Sequence, residues 1–182
     1  MAEEIGLHGL ALPEAYGGQG FGFIELGIAL EEMGRRLAGG PFLASAVIAA
    51  HAIQLAATAA QRAALLPGLA SGETIATLAV LEASGRQDAD DIAATCRRDG
   101  DGWRVTGRKI AVLDAQNADL LVVAAREAGS RGEAGVSLLV ARADAAGVTV
   151  KPTDGLDLTR KLGEVELVDA AATPLGDAGA AW

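Results

Sequence analysis

Apolar residues and glycines recur at the spacing of α-helices in the first part of the chain. After the residue Gly22 they follow one another at steps of three or four, which places them on one helix face: Phe23, Leu26, Gly27, Leu30, Met33, Gly34 and Leu37. The sequence Gly39-Gly40-Pro41 predicts the end of this helix. Two further helices are predicted, from Phe42 to about Ala57 and from about Ala59 to Ala70.

From Thr74 onward the pattern changes to strands and turns. About seven short apolar or alternating segments follow, with glycine and aspartate between them: 74–82, 92–98, 103–113 with an interruption at Gly107, 119–126, 135–142, 148–151 and 162–168. No helical pattern separates these segments, which favours an antiparallel sandwich or barrel over alternating β-α units. The fold class predicted is therefore α+β. An all-helical N-terminal domain, residues 1–72, is followed by a small antiparallel β-sandwich or barrel domain, residues 73–182.

Composition excludes several classes of protein. Hydrophobic residues make up 51% of the 182 residues and charged residues 21%, which excludes disorder for most of the chain. The formal net charge of −9 argues against nucleic acid or anionic lipid as the main partner. The single cysteine, Cys96, has no internal disulfide partner, which fits a reducing compartment. The acidic start shows no secretory signal, so we expect a cytoplasmic location.

One stretch is long enough for a membrane span. The 25 residues between Arg36 and Arg62 are uncharged. However, glycine and proline at 39–41 interrupt the stretch, and polar residues follow: Ser45, His51, Gln54 and Thr58. A buried helix is therefore favoured over a membrane span.

Local motifs predict no metal site and no catalytic residue. The glycine-rich segment 16–22 lacks the preceding strand and the spacing of a dinucleotide-binding loop, so a simple turn into the first helix is favoured. His8 and His51 do not lie at a ligand-like spacing from Cys96, which disfavours a zinc site or a Cys-His nucleophile. The acidic residues Asp88, Asp90 and Asp91 are more typical of a solvated turn than of a cation site.

A larger pattern covers nearly the whole chain. Residues 9–20, GLALPEAYGGQG, and 31–35, EEMGR, closely resemble the early helical region of flavin-dependent acyl-CoA dehydrogenases. Residues 61–73 are similar to the family's stretch before its β-domain. Residues 80–88 take the frame of the family's T-E-P-G-A-G-S-D motif, and 103–109, WRVTGRK, match its Y-x-I-N-G-x-K motif. The segment from Asp157 to Gly176 resembles the strand that ends the middle domain.

This resemblance implies a fold and an activity. In the family an N-terminal helical domain, a middle β-domain and a C-terminal helical bundle enclose FAD and an acyl-CoA thioester. A carboxylate base, which most members carry on the bundle, removes the α-proton while the β-hydrogen leaves as hydride to the flavin. The chain resembles a member that is truncated before this bundle and incomplete at its start. We therefore expect a base to come from elsewhere and no activity from this chain alone.

The resemblance also assigns candidate cofactor-binding residues. The family's flavin-facing threonine falls on Leu81, the serine of G-S-D on Gln87, and the tryptophan and threonine of its W-I-T motif on Ala111 and Leu113. Leucine cannot donate to the flavin ring, and alanine lacks the aromatic contact face. Backbone groups of Val80 and Leu81 remain candidates for flavin contact. Retained FAD contact and simple packing of the β-domain are left as two open alternatives.

Two functions follow from the pattern. The chain is either an acyl-CoA dehydrogenase fragment or subunit that handles FAD and a CoA thioester with missing parts supplied by a homo- or hetero-oligomer, or a non-catalytic subunit that has lost flavin binding. Asp157-Leu158-Thr159-Arg160 is similar to members that assemble from unlike subunits. We also expect the helix predicted at 42–57 to expose an apolar side that favours association.

Overall fold

A computed structural model describes residues 5–179 as helices followed by a β-barrel. The first helix, α1, is Phe23–Arg35. A π-helical segment, Leu43–Ala49, runs directly into α2, Ala50–Ala56. The third helix, α3, is Ala59–Ser71. The helices predicted from the apolar spacing are thus confirmed. The second and third end within one residue of the predicted position, whereas α1 ends at Arg35, ahead of the predicted stop at Gly39-Gly40-Pro41.

Local chemistry explains where α3 begins and ends. The hydroxyl of Thr58 accepts the Gln61 amide at 3.3 Å, and the Gln61 side chain accepts the Thr58 amide at 2.9 Å. At the other end Gly72 adopts a left-handed φ of 75°, which side chains rarely tolerate. A reciprocal cap and a terminal glycine therefore delimit the helix that leads to the barrel.

Only some of the apolar residues predicted on one face of α1 are buried. Leu26 is buried, and Leu30 and Met33 are partly buried beside it. Phe23 and Leu37, in contrast, are 72% and 74% exposed. Leu37 lies beyond the end of the helix with φ 49°, so the helical spacing no longer directs its side chain inward.

The helix at 42–57 also differs from expectation. Most of its apolar positions are buried or partly buried against the barrel and the other helices, among them Ala46, Ala49 and Ile53. Leu55 is the exception, with 88% exposure, and α1 exposes Phe23, Ile24 and Ile28. Because the chain folds α2 over the barrel, most of its apolar side is covered by the chain itself.

Seven strands follow the helices. They are β1 (Ala76–Ala79), β2 (Thr95–Asp99), β3 (Gly102–Leu113), β4 (Leu120–Glu127), β5 (Val136–Arg142), β6 (Val148–Thr153) and β7 (Leu162–Pro174). Strands β4, β2, β3, β7 and β5 pair in that order, and β5 pairs back to β4, which closes a barrel. The strand β1 adds to β4 and β6 adds to β7. The predicted class, helices followed by a small β-domain, is confirmed.

Two of the strand pairings are parallel. The prediction of antiparallel pairing holds for β2–β3, β3–β7, β5–β7, β4–β5 and β6–β7. However, both β1 and β2 run parallel to β4. A parallel pair needs a long connection, and the chain from β1 to β4 supplies one because it first forms the β2–β3 hairpin.

Two apolar clusters hold the parts together. One fills the barrel with residues such as Cys96, Val105 and Leu121. The other lies between the helices and the barrel and includes Leu66, Leu69, Ile53 and Val122. The hydroxyl of Ser45 in the π-helical segment accepts the Ala76 amide of β1 at 3.1 Å. Helices and barrel therefore share a buried boundary.

A bilayer-crossing helix is not found in the described part of the chain: none of its helices combines the required length with the required apolar character.

The glycine-rich segment before α1 yields the first prediction. A Cβ added at Gly18 would overlap the backbone carbonyl of Leu12, whereas one added at Gly27 on α1 would meet open space. We expect Gly18→Ala to lower the free energy of unfolding by about 1–3 kcal/mol because backbone must shift. The matched variant Gly27→Ala should raise it by about 0.5–1 kcal/mol, since alanine favours helices. Urea denaturation of both variants measures this, and equal destabilisation by the two would contradict it.

Candidate functional site

Two segments that carry predicted site residues lie side by side at one end of the barrel. The amide of Ile110 donates to the carbonyl of Leu81 at 2.9 Å. The hydroxyl of Thr77 donates to the carbonyl of Leu113 at 2.6 Å. The chain after β1 therefore runs along the end of β3 in the opposite direction. The structure thus brings the Val80–Leu81 segment next to the segment that contains Ala111 and Leu113.

The side chains on this surface are apolar. Leu81 and Leu113 are partly buried, and Ala111 is exposed. Ala111 has a left-handed φ of 50° and lies in an irregularity of the β3–β7 pairing between Lys109 and Val112. A non-glycine residue in this conformation is uncommon and turns the local backbone away from the regular ladder.

The backbone of this surface is partly occupied. The carbonyl of Val80 accepts the Lys109 ammonium at 3.1 Å, and the carbonyls of Leu81 and Leu113 accept the two bonds given above. The amide N–H groups of Val80 and Leu81 donate to no acceptor within residues 5–179. These two N–H groups are therefore candidates for hydrogen bonding to a ligand.

Gln87 stands apart from the other predicted residues. It is exposed in the loop before the short turn Ala89–Asp91. Arg86 beside it pairs with Asp91 at 3.3 Å and with Asp88 at 3.7 Å. Hydrogen bonds among the described residues connect Gln87 to neither the Val80–Leu81 segment nor β3. Hydrogen bonds therefore join the segments that carry four of the five predicted residues, and none among the described residues joins Gln87 to them.

A buried ion pair between Lys109 and Glu82 adjoins the Val80–Leu81 segment and the end of β3. The Lys109 side chain is 0% exposed, and its Nζ donates to Glu82 Oε1 at 2.5 Å. Burial lowers the pKa of the Lys109 ammonium, and the hydrogen bond and charge of Glu82 oppose this shift. The Glu82 carboxylate also accepts the amides of Ala93 and Ala94 at 2.9 and 3.0 Å.

The motif frame at residues 80–88 includes Glu82 but does not indicate its partner. Val105 is buried, and Lys109 has the same parity along β3, so the alternation alone directs this lysine inward. That signal was available because a charged residue at an inward position needs a buried partner. The structure assigns Glu82 a hydrogen-bonding role within the fold, with both carboxylate oxygens engaged.

A second buried charge shapes the neighbouring loops. Arg126 on β4 is 8% exposed and forms no ion pair within the described part of the chain. Its guanidinium donates instead to backbone carbonyls at 2.6–2.9 Å, those of Ala89, Ile92, Ser130 and Gly132. The Asp90 carboxylate accepts the Gly132 amide at 2.7 Å. Arg126 therefore fixes the loop that follows Gln87 against the β4–β5 turn.

Two grooves on the described surface do not include the predicted residues. A cavity of about 380 Å³ is lined by Trp103, Arg104, Arg142 and neighbouring residues. A more apolar one of about 280 Å³ lies between Leu65 of α3 and Val140 of β5. The Val80–Leu81 segment and the end of β3 line neither of them. Among residues 5–179, no group of three metal-ligating side chains is present.

Family models match most of the chain. The model for the N-terminal domain of acyl-CoA dehydrogenase matches residues 1–73, and the model for the middle domain of acyl-CoA dehydrogenase matches residues 77–169.

Individual relatives agree with this match. The chain is 33% identical over 157 residues to the acyl-CoA dehydrogenase FadE12 of Mycobacterium tuberculosis, covering 84% of this chain and 40% of the relative. A solved variant of the Tcur3481-Tcur3483 steroid ACAD is 38% identical with a TM-score of 0.81, covering 96% of this chain and 46% of that one. The ChsE4-ChsE5 complex of Mycobacterium tuberculosis is 26% identical with a TM-score of 0.85, covering 97% and 46%. The chain thus spans less than half the length of these relatives.

Proposed function

Because this chain belongs to the acyl-CoA dehydrogenase family, we propose that it is a dehydrogenase-like subunit that contributes one wall of a site for FAD and an acyl-CoA thioester. The observation that carries this proposal is the joined surface of Val80, Leu81, Ala111 and Leu113, at the positions where the family contacts flavin. The domain bounds 1–72 and 73–182 belong to the same proposal, supported by the end of α3 at Ser71.

The chain's own groups fit a flavin through backbone and apolar contacts. The free N–H groups of Val80 and Leu81 can donate to a ring oxygen or nitrogen. The partly buried side chains of Leu81 and Leu113 offer an apolar surface to a planar ring. FAD, when bound, supplies the acceptor for the β-hydrogen as hydride. The chain's part is to bind and orient the ring and to exclude water from one side.

The proton transfer requires a group beyond this wall. A general base must lie within hydrogen-bond reach of the α-proton. Both oxygens of Glu82 are already engaged by Lys109, Ala93 and Ala94. Asp88 lies in the exposed loop, paired with Arg86. We therefore propose that the base comes from a helical bundle or partner subunit, as the family resemblance implies, and that the chain works in a homo- or hetero-oligomer.

A second function is favoured by a specific observation. Leu81, Ala111 and Leu113 carry no side-chain hydrogen-bond donor and no aromatic ring, although the family holds flavin with such groups. This supports a non-catalytic subunit that packs on a dehydrogenase partner without binding flavin itself. The solved ChsE4-ChsE5 complex pairs two differently named chains, and it supports an unlike-subunit assembly for this chain.

A visible absorption spectrum distinguishes the two functions. We expect the purified chain to retain FAD at well below one equivalent after incubation and gel filtration, because Leu81, Ala111 and Leu113 offer the ring neither a side-chain donor nor an aromatic face. Leu113→Thr, which restores the family's hydroxyl, should raise the retained fraction, and Leu158→Thr on the exposed β6–β7 loop is the matched control. Absorption by flavin would support the first function. A colourless protein for wild type and Leu113→Thr alike would favour the second.

A further inference from the structure

The buried Glu82–Lys109 pair connects three separate parts of the chain at the candidate site. Lys109 precedes Ile110, whose amide donates to the Leu81 carbonyl, and its ammonium donates to the Val80 carbonyl at 3.1 Å. At the other end of the pair, the Glu82 carboxylate accepts the amides of Ala93 and Ala94 just before β2. The pair therefore holds the chain after β1, the entry to β2 and the end of β3 at fixed distances.

Fold stability alone does not account for a buried ion pair. Taking two charges out of water costs free energy that their attraction repays only in good geometry, and apolar replacements are often as stable. Apolar side chains of similar volume would leave the Val80 carbonyl and the amides of Ala93 and Ala94 without these partners. What the pair supplies beyond packing is a set of directed hydrogen bonds.

We propose that Glu82 and Lys109 are positioning residues, which hold the free N–H group of Leu81 in a fixed orientation beside the exposed Ala111 backbone. The part that concerns flavin rests on the proposed function. The Lys109 ammonium donates to the Val80 carbonyl, which shares its planar peptide group with the Leu81 N–H, so this bond fixes the orientation of that N–H. The bond from the Ile110 amide to the Leu81 carbonyl holds the next peptide group in the same way. A ligand that accepts from the Leu81 N–H then meets a preorganised donor.

Hydrogen exchange tests the positioning without a cofactor. In Lys109→Met and Glu82→Gln, the amides of Ala93, Ala94 and Ile110 should exchange at least about tenfold faster, because each variant removes a hydrogen bond to a charged group. Exchange in β5 should not change. The matched control is Arg108→Met, which lies next to Lys109 on β3 but pairs with Glu164 at the surface. Glu82→Gln keeps the volume of the side chain, so its exchange rates test the proposal even if Lys109→Met does not fold.

A titration with FAD, followed by flavin fluorescence on the same proteins, tests the flavin part. We expect the Kd to rise at least about tenfold in both variants and to stay unchanged in Arg108→Met, at a temperature where far-UV circular dichroism shows all proteins folded. Faster local exchange with weaker FAD binding supports the whole proposal. If local exchange is faster in the two variants but the wild type binds no FAD, the positioning is supported and only the proposed flavin function is overturned. Unchanged exchange at 93, 94 and 110, or faster exchange throughout β5, overturns the positioning.

Discussion

Arg126→Met is expected to lower the free energy of unfolding by about 3–5 kcal/mol. The substitution keeps the apolar stem but leaves the carbonyls of Ala89, Ile92, Ser130 and Gly132 without their donor. Each buried acceptor that loses its partner costs about 1–3 kcal/mol, and water entering the loop recovers part of the loss. Because these carbonyls belong to two loops, we also expect the loops on either side of Arg126 to separate.

Urea denaturation followed by circular dichroism measures this effect. The matched control is Arg142→Met at the end of β5, since Arg142 is exposed and binds Asp144 through two surface hydrogen bonds. Its midpoint should stay close to that of the wild type because exposed ion pairs contribute little. Arg126→Lys should be intermediate, since an ammonium has three donors without the planar fork. Equal midpoints for Arg126→Met and Arg142→Met would contradict the prediction.

The 182-residue polypeptide by itself is expected to show no oxidation of acyl-CoA. Positioned acid–base catalysis typically contributes about 10²–10⁴-fold, and within residues 5–179 the carboxylates nearest the candidate site in sequence already accept hydrogen bonds. Glu82 is engaged by three donors, and Asp114, next to Leu113, is buried and accepts the Asn117 amide group at 3.1 Å. Glu31 and Glu32 both pair with Arg35 on the exposed side of α1. Neither the base nor a full set of flavin contacts is therefore present on this wall.

A dye-reduction assay with added FAD and short-, medium- and long-chain acyl-CoA measures turnover. A full-length acyl-CoA dehydrogenase under the same conditions is the positive control. Sustained turnover by this chain would contradict the prediction, and its abolition in Asp114→Asn with normal folding would then identify Asp114 as the base. Turnover that appears only when a partner subunit is added agrees with the proposed function.

The helical part was predictable because its signals are local. Gly39-Gly40-Pro41 separates two helices, and Thr58 with Gln61 caps α3, so neighbours in sequence decide these boundaries. The strand segments were equally visible, since turn residues and alternation act over a few positions. The ordered motifs between residues 9 and 176 indicated the family, which the domain matches confirm.

Much of the candidate site was not predictable in this way. The parallel pairing of β1 and β2 with β4 joins segments far apart in sequence, and no local pattern distinguishes it from an antiparallel neighbour. The same holds for Arg126, whose partners lie on two loops that meet only after the barrel closes. Likewise, α1 exposes Phe23 because burial depends on what packs against the helix as well as on its spacing.

Turn chemistry and the spacing of apolar residues in the sequence by themselves determined a helical part and a β part, since these follow from backbone geometry repeated every few residues. Lys109 shares the parity of the buried Val105 along β3, which agrees with its inward position in the structure. The tertiary structure alone decided that Glu82, 27 residues earlier in the chain, meets this lysine and that Val80 and Leu81 lie beside Ala111 and Leu113. The physical reason is that a charge in the barrel interior is tolerated only when a distant segment brings its partner within hydrogen-bond distance. That requirement acts through space, after the strands have paired.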